Sequence, residues 1–358
     1  MSSKISAEKL LLASNESEVS LLKEMKKIKG GSKSGQSVPD CVDGVEGHEE
    51  IVNQFKYVYE TLYNSADTSE GMKTIKNNLK DLIGQGSIEE VNKVTGSVVK
   101  EACIRMKPGK GDVTGSYSSD LFLNSPDSVF EELAAIFRSF LVHGNVTLQL
   151  LSCAFLPLFK GGIKDPSKST SYRAIAGSSQ LLKLFEYVIL VLWGDILESD
   201  PMQFGFKRGV STTSCSWMVM EVAGYFLRKG TPCIFTLLDC TQAFDKCLFD
   251  QLFQKLIKKG LPPIVIRVLI FAYEEQTGTV KLAGVSSATF RLVNGTRQGS
   301  VLSPIFFSLY LDDLLKKLRK AGLGCHISGE WFGAAGYADD LILMSPSREA
   351  MSKMLKIC

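Results

Sequence analysis

Two short apolar segments that meet aspartate constrain the fold of this chain more than any other feature. The first, Cys233 to Leu238, is too short for a helix and rich in β-forming residues, which predicts a buried strand ending at Asp239. The second, Gly336 to Met344, predicts a strand, an acidic turn at Asp339 and Asp340, and a second strand. If these strands are neighbours in one sheet, the 100 residues between Asp239 and Asp339 do not prevent a shared site.

Carboxylates in this arrangement favour a divalent cation. The adjacent acids Asp339 and Asp340 repel each other unless a cation neutralises them, so Mg²⁺ is expected beside them. Together with Asp239 they form a set that can hold two Mg²⁺ ions for in-line displacement at phosphorus. The ordinary alternatives are a solvated turn for the pair and a helix N-cap for Asp239, an interpretation that also applies to Asp245.

Composition excludes several classes of protein. The chain has 358 residues, 45% hydrophobic and 22% charged, as in folded proteins, which rules out fibrous and wholly disordered chains. A formal net charge of +3 gives no global basic field for nucleic acid. The longest apolar run, Tyr187 to Trp193, is far shorter than the roughly 18 residues that span a bilayer, so no membrane span is expected. Nine cysteines without CxxC spacing predict reduced intracellular thiols, with neither a zinc site nor a disulfide framework.

A basic patch occurs locally. The window from Leu158 to Lys183 holds five basic residues and one acid. Lys160 and Arg173 in this window are candidates for phosphate binding, because Arg offers a planar fork of donors and Lys a mobile charge. A solvated loop is the preferred interpretation for Lys164 and Lys168.

Residues 294–300, with the sequence NGTRQGS, form a further candidate segment. Glycines flank Arg297 and Gln298, which allows the backbone to approach a ligand, and Ser300 or Ser303 is expected to start the next helix. A plain turn is the ordinary alternative.

The remaining pattern predicts an α+β chain in three parts. Residues 1–45 are predicted to be a flexible segment with a helical fragment at 10–29, and residues 46–106 a helical extension. Residues 107–358, with a core from about 150, alternate strands and helices without a repeating βαβ unit. Helices are predicted at 51–62, 75–83, 88–104, 129–141, 178–197, 213–227, 249–259, 264–275 and 304–320, a strand at 154–159, and a hairpin from 280–282 and 290–293.

Five motifs in fixed order resemble the reverse transcriptase domain of non-LTR (LINE-type) retroelements. They are SYRAI, QFGF followed by ST, LLDCTQAFD, GTRQGSVLSP and YADDLILMSPS, and the resemblance covers about residue 107 to the C-terminus. It implies a right-hand polymerase with fingers and palm, the palm being an antiparallel sheet backed by helices. It also implies an RNA-directed DNA polymerase, which transfers a nucleotide from a dNTP to a primer 3′-hydroxyl.

The resemblance implies a catalytic, metal-binding set. Asp239 and Asp339 match the principal metal-binding carboxylates, with Asp340 beside them as the third acid. The backbone carbonyl of Cys240 would complete the shell of one ion. Two Mg²⁺ ions are the expected cofactor, with Mn²⁺ as an alternative.

The resemblance also implies a nucleotide-binding set. Lys160 and Arg173 match residues that hold the incoming triphosphate. Phe244 matches the aromatic residue that crowds the sugar 2′ position, although core packing is an equally ordinary role for this ring. Gln298 and Gly299 match the motif that packs against the nascent base pair and template.

The expected partners are an RNA template, a DNA primer and dNTP, and the oligomeric state is left open. The family's proteins are expected in cytoplasm, nucleus or both. The chain ends at Cys358, before the family's thumb, so a fragment with weak or no activity alone is expected. The alternatives are a noncatalytic nucleic-acid-binding remnant and an RNA-templated RNA polymerase.

Overall fold

The computed structural model describes residues 39–83, 86–112, 117–239, 244–296 and 299–358. The helix predicted at 10–29 and most of the predicted flexible segment 1–45 lie outside these residues. The same holds for two predicted site residues, Cys240 and Gln298.

The first part of the described chain is mostly helical. Its elements are β1 (Cys41–Val42), β2 (Val45–Glu46), α1 (His48–Tyr63), α2 (Ser69–Leu82), α3 (Gly86–Asn92), α4 (Gly96–Ile104), α5 (Ser119–Leu123) and α6 (Asp127–His143). The single helix predicted at 88–104 is two helices, α3 and α4. The hydroxyl of Thr95 accepts a hydrogen bond from the Val98 amide and so starts α4.

Strands and helices alternate in the rest of the chain. The elements are β3 (Ser152–Phe159), β4 (Tyr172–Gly177), α7 (Gln180–Trp193), α8 (Thr212–Arg228), β5 (Ile234–Asp239), α9 (Phe249–Lys259), α10 (Pro263–Glu274), β6 (Thr277–Leu282), β7 (Val285–Ser286), β8 (Phe290–Arg291), α11 (Ser303–Lys320), β9 (His326–Ile327), β10 (Glu330–Trp331), β11 (Ala334–Tyr337), β12 (Asp340–Ser345) and α12 (Arg348–Ile357). The predicted α+β class is confirmed. Helix α7 is shorter than predicted, because it ends at Trp193 and a separate short turn follows at Asp195–Leu197.

The larger sheet is covered by the first helix. Its strand order is β4-β3-β6-β7, and β8 also pairs with β6. Strand β3 is antiparallel to β4 and parallel to β6. On this sheet α1 buries an aromatic cluster in which the Phe55 ring lies 5.0 Å from Tyr172 and the Tyr63 ring lies 5.2 Å from Phe155. A helix from the predicted N-terminal extension is therefore part of this sheet's core.

The smaller sheet has the antiparallel order β11-β12-β5 and is packed by helices on both faces. Helices α11 and α12 bury Leu341 and Leu343 on one face, and α8 packs on the other with Met344. Strand β5 is at the edge of the described sheet, and Leu237 is 79% exposed. The prediction that 233–238 is a buried strand is therefore wrong in its burial, because the helices on the sheet leave side chains of this edge strand uncovered.

The largest core is helical. It joins α2, α4, α6 and α7 to α9 and α10, with the Phe137 and Phe185 rings 5.2 Å apart near its centre. Helices from before residue 107 thus share a core with helices from after it. Residues Asp40–Cys358 form one compact unit. No helix in the described ranges is long and apolar enough to cross a bilayer.

Candidate active site

The two acidic segments meet at one end of the smaller sheet. Strands β11 and β12 form a hairpin closed by the pair Tyr337 and Asp340, and Ala338 and Asp339 make its two-residue turn. Asp340 lies directly opposite Asp239, the last residue of β5. The expectation that these segments are neighbouring strands is confirmed. Neither Asp239 nor Asp245 is an N-cap, because the next helix starts at Phe249 and its N-cap residue is Leu248.

A cavity of about 750 Å³ lies at this end of the sheet. The residues lining it come from both sheets and include Lys160, Arg173, Asp239, Phe244, Gly299 and Asp339. The structure therefore brings together six of the nine predicted site residues. Asp340 is exposed beside Asp239 but contributes to the wall of a separate, smaller cavity, next to Leu311 and Leu314 of α11.

Basic side chains from β4 and from the loop after β3 line one side of the cavity. Residues alternate along β4, so Tyr172 and Ala174 point into the core while Arg173 is exposed. The side chain of Arg173 makes no hydrogen bond or ion pair with a described residue. Lys164 is exposed in this loop, as the interpretation of a solvated loop residue predicts, and it also lines the cavity.

Lys160 is held in place by backbone. Its amide donates to the Ser171 carbonyl at 2.9 Å, and its ammonium group donates to the Thr170 carbonyl at 2.6 Å. Partial burial lowers the pKa of Lys160, and the nearby charges of Lys164 and Arg173 lower it further. Burial is the larger cause of the lowered pKa, and the two neighbouring positive charges add to it.

Acidic side chains line the other side of the cavity. Within the described ranges, the side chains of Asp239, Asp339 and Asp340 form no hydrogen bond or ion pair. The described residues, which omit 240–243, contain no cluster of three His, Cys, Asp or Glu placed to hold a metal ion. The described residues therefore place the carboxylates of Asp239 and Asp339 in one open cavity. They do not form a closed metal site built from protein ligands alone.

Phe244 is stacked between neighbours. Its ring lies 4.1 Å from that of Phe307 on α11 at an interplanar angle of 21°, and meets the ring of Phe206 edge-on at 5.8 Å. It is half-buried and lines the cavity. One part of the ring therefore packs against its neighbours and another part faces the open cavity, while the role of crowding the sugar 2′ position stays a prediction. Sequence analysis did not assign Phe206 to the site. In the sequence this residue is marked only by its place in the QFGF motif.

Gly299 is a position where only glycine fits. Its φ is +131°, and a Cβ there would lie 2.1 Å from the carbonyl oxygen of Ala176 in β4. The loop before α11 thus packs directly on the larger sheet. Gln298, its predicted partner in the site, lies outside the described residues.

Gln203 is the most important residue that sequence analysis missed. It is completely buried, and its Oε1 accepts hydrogen bonds from the amides of Gly205 at 2.8 Å and Ala338 at 3.1 Å. Its Nε2 donates to the Ala338 carbonyl at 3.3 Å. Ala338 has a φ of +58°, unusual for a residue with a side chain, so Gln203 holds the turn that carries Asp339. In the sequence, Gln203 is marked only by its place as the first residue of the QFGF motif, to which no role was assigned.

Comparison with known families agrees with this geometry. Residues 163–358 match the family model described as reverse transcriptase (RNA-dependent DNA polymerase). The chain belongs to the reverse transcriptase family. In this reverse transcriptase the smaller sheet, with α11 and α12 behind it, is the palm, and the larger sheet belongs to the fingers. The domain boundary at residue 107 stays a prediction.

The similar proteins are polymerases of non-LTR retroelements. The Pol polyprotein of an R2 element from Nasonia vitripennis is 24% identical over 258 residues, covering 71% of this chain and 24% of that protein. The RNA-directed DNA polymerase of the mobile element jockey from Drosophila funebris is 28% identical over 261 residues, covering 71% and 28%. This reverse transcriptase chain thus spans about a quarter of the length of these relatives. Among solved structures, a Candida albicans telomerase in complex with a fragment of telomeric RNA matches with a TM-score of 0.43 and 15% identity, covering 58% of this chain and 40% of that one.

Proposed function

We propose that this chain is the RNA-directed DNA polymerase of a LINE-type retroelement. It would join the α-phosphorus of a dNTP to the 3′-oxygen of a DNA primer on an RNA template, and release pyrophosphate and the hydroxyl proton. The observation that carries the proposal is one cavity containing Asp239 and Asp339 together with Lys160, Lys164 and Arg173. Phosphoryl transfer needs positioning and charge neutralisation more than covalent catalysis, and this set of residues offers both.

The basic side chains of the cavity would bind the triphosphate of the incoming nucleotide. Arg173 offers a planar fork of donors for two phosphate oxygens, and Lys160 an ammonium group that its backbone contacts aim along one wall of the cavity. A bound triphosphate would also offset the repulsion from Lys164 and Arg173, which adds to the effect of burial on the pKa of Lys160.

The carboxylates suit magnesium. Members of the family use divalent cations, and Mg²⁺ is commonly held by one or two carboxylates plus substrate phosphates rather than by an all-protein cage. Asp239 and Asp339 fit this pattern, with Asp340 next to them and the Cys240 carbonyl as a further ligand. When bound, two Mg²⁺ ions lower the pKa of the primer hydroxyl and offset the charge of the leaving pyrophosphate, a role Mn²⁺ can share.

Other residues orient the substrates. Phe244, supported by Phe307, would exclude a nucleotide with a 2′-hydroxyl, and Gly299 with Gln298 would pack against the new base pair. A neighbouring cavity of about 460 Å³, with Lys107, Lys110 and Lys183 in its wall, shares Phe206 and Gly299 with the first. Its lysines would contact phosphates of the RNA template.

Single-nucleotide addition tests this function. The full chain is given an RNA template with an annealed DNA primer at saturating concentration, Mg²⁺ and one dNTP, because one addition does not require continued binding through many cycles. Weak addition is expected with dNTP, and it should be lost in Asp239→Asn. In Arg173→Lys, which keeps the charge but not the fork, KM for dNTP is expected to rise about tenfold. Lys168→Ala is the control, since Lys168 does not line the cavity.

Each alternative predicts a different result. Preference for rNTP would support an RNA-templated RNA polymerase. RNA binding that weakens with salt, without any addition, would support a noncatalytic remnant. Addition that survives Asp239→Asn would contradict the proposed site.

A further inference from the structure

Three chain segments meet in a buried polar junction behind Phe244. They are the end of α1, the loop after β5 and the loop before α11, and each contributes one side chain: Tyr63, Asp245 and Asn294. Tyr63 and Asn294 are 0% exposed and Asp245 is 5% exposed. We call these three residues the Tyr63 junction.

The junction is held by short hydrogen bonds. The Tyr63 hydroxyl donates to Asp245 Oδ1 at 2.6 Å. Burial raises the pKa of Tyr63, and the charge of Asp245 raises it further, so the phenol remains a donor across the working pH range. A hydrogen bond from a neutral donor to a buried carboxylate is among the stronger ones in proteins.

Asn294 ties the other two segments together. Its Nδ2 donates to the carbonyl of Asp245 at 2.7 Å and to that of Leu62 at 3.1 Å, and its Oδ1 accepts from the Ser65 amide at 2.9 Å. The amide and carbonyl of its side chain are therefore both used. Gly295 follows with a φ of +85°, and a Cβ there would lie 2.5 Å from the Asp245 carbonyl oxygen.

The junction reaches the cavity directly, because Asp245 is among the residues that line it, and also through Phe244. Phe244 is the residue before Asp245, and its carbonyl accepts a 2.7 Å hydrogen bond from the Thr296 amide, two residues after Asn294. Its backbone is thus held by the same two loops, while its ring rests on Phe307. A shift of this backbone would move the ring that lines the nucleotide cavity.

We infer that Tyr63, Asp245 and Asn294 are positioning residues that fix the Phe244 ring and thereby set discrimination between dNTP and rNTP. The inference rests on the proposed function. It gives α1, which lies about 100 residues before the matched family region, a part in substrate selection. Steric selection depends on placement to within a fraction of an ångström, since a displacement of about 1 Å can change a rate by about 100-fold.

Two tyrosines of α1 test this inference. Tyr57 lies on the same helix, is 67% exposed and does not line the cavity, so it is the control. Tyr63→Phe is expected to lower the ratio of kcat/KM for dNTP to that for rNTP by about tenfold, chiefly through faster rNTP addition. Tyr57→Phe is expected to leave the ratio unchanged. Asp245→Asn keeps an acceptor for the phenol and should retain more of the selectivity than Asp245→Ala.

Hydrogen exchange separates this inference from the proposed function. Without nucleotide, peptides covering 244–247 and 294–296 are expected to exchange faster in Tyr63→Phe than in Tyr57→Phe. If the wild type adds no nucleotide, the proposed function fails, and the exchange result alone decides whether the junction positions Phe244. Equal exchange in the two variants, or equal dNTP selectivity in an active enzyme, would overturn the inference.

Discussion

A buried amide holds the turn that carries Asp339. Gln203 both accepts from and donates to the backbone of Ala338. In Gln203→Glu the donor is lost and a negative charge is placed in a fully buried site near Asp339. We expect a loss of about 2 kcal/mol or more in the free energy of unfolding, together with a lower kcat. Urea unfolding and single-nucleotide addition measure these two effects.

The pH dependence of this variant identifies its cause. A protonated glutamate regains a donor, so the stability of Gln203→Glu should approach that of the wild type as pH falls through the raised pKa of a buried carboxyl. Gln251→Glu, the same change at an exposed position, is the control and should have little effect. A stability difference that does not change with pH would contradict this account of Gln203.

The lowered pKa of Lys160 predicts an alkaline limit for nucleotide binding. The triphosphate favours the ammonium form, so KM for dNTP should rise as pH increases through the Lys160 pKa, which lies below its ordinary value. Lys164→Ala removes one of the charges that lower this pKa. The midpoint of the KM rise should therefore move to higher pH, as measured by steady-state kinetics over a series of alkaline pH values.

The matching control is Lys168→Ala. Lys168 lies in the same loop but is not among the groups that shift Lys160, so its removal should leave the midpoint unchanged. A midpoint that moves equally in both variants, or moves to lower pH in Lys164→Ala, would refute the assignment of Lys160.

Helix α1 is an integral element of the fingers core. Phe55 is completely buried between α1 and β4, whereas Tyr57, on the same helix, is 67% exposed. Phe55→Ala should reduce the free energy of unfolding by about 3 to 5 kcal/mol. Tyr57→Ala should change it by roughly 0.5 kcal/mol or less. Urea unfolding of both variants measures this, and similar losses would mean that α1 is not packed as described.

Most elements could be predicted because their signals are local. Proline at the start of α10 and the apolar stripe of α9 ending at Gly260, with a φ of +86°, fix those helices from neighbouring residues alone. Burial of β5 could not be predicted in this way, since it depends on which distant elements cover the faces of the sheet. The role of Asp245 was missed for the same reason: its partner Tyr63 is 182 residues away.

At the scale of the whole molecule, the motifs predicted the family and the residues of the cavity, but not what supports them. The motifs are short and contiguous, so a chain can be compared with them directly. The supports are hydrogen bonds between distant segments, such as Gln203 to Ala338 and Asn294 to Leu62. They follow from the three-dimensional fold, which brings α1, the palm hairpin and the loop before α11 to one cavity.

The most direct test of the central claim is single-turnover addition of one dNTP by the wild type, Asp239→Asn, Asp339→Asn and the double variant. Asp165→Asn, an exposed acid outside the cavity, is the control. If both acids serve one reaction, each single variant should lose about 1,000-fold or more in rate, and the double variant should lose little beyond that. Near-wild-type addition by either single variant, or losses that multiply in the double variant, would contradict the account.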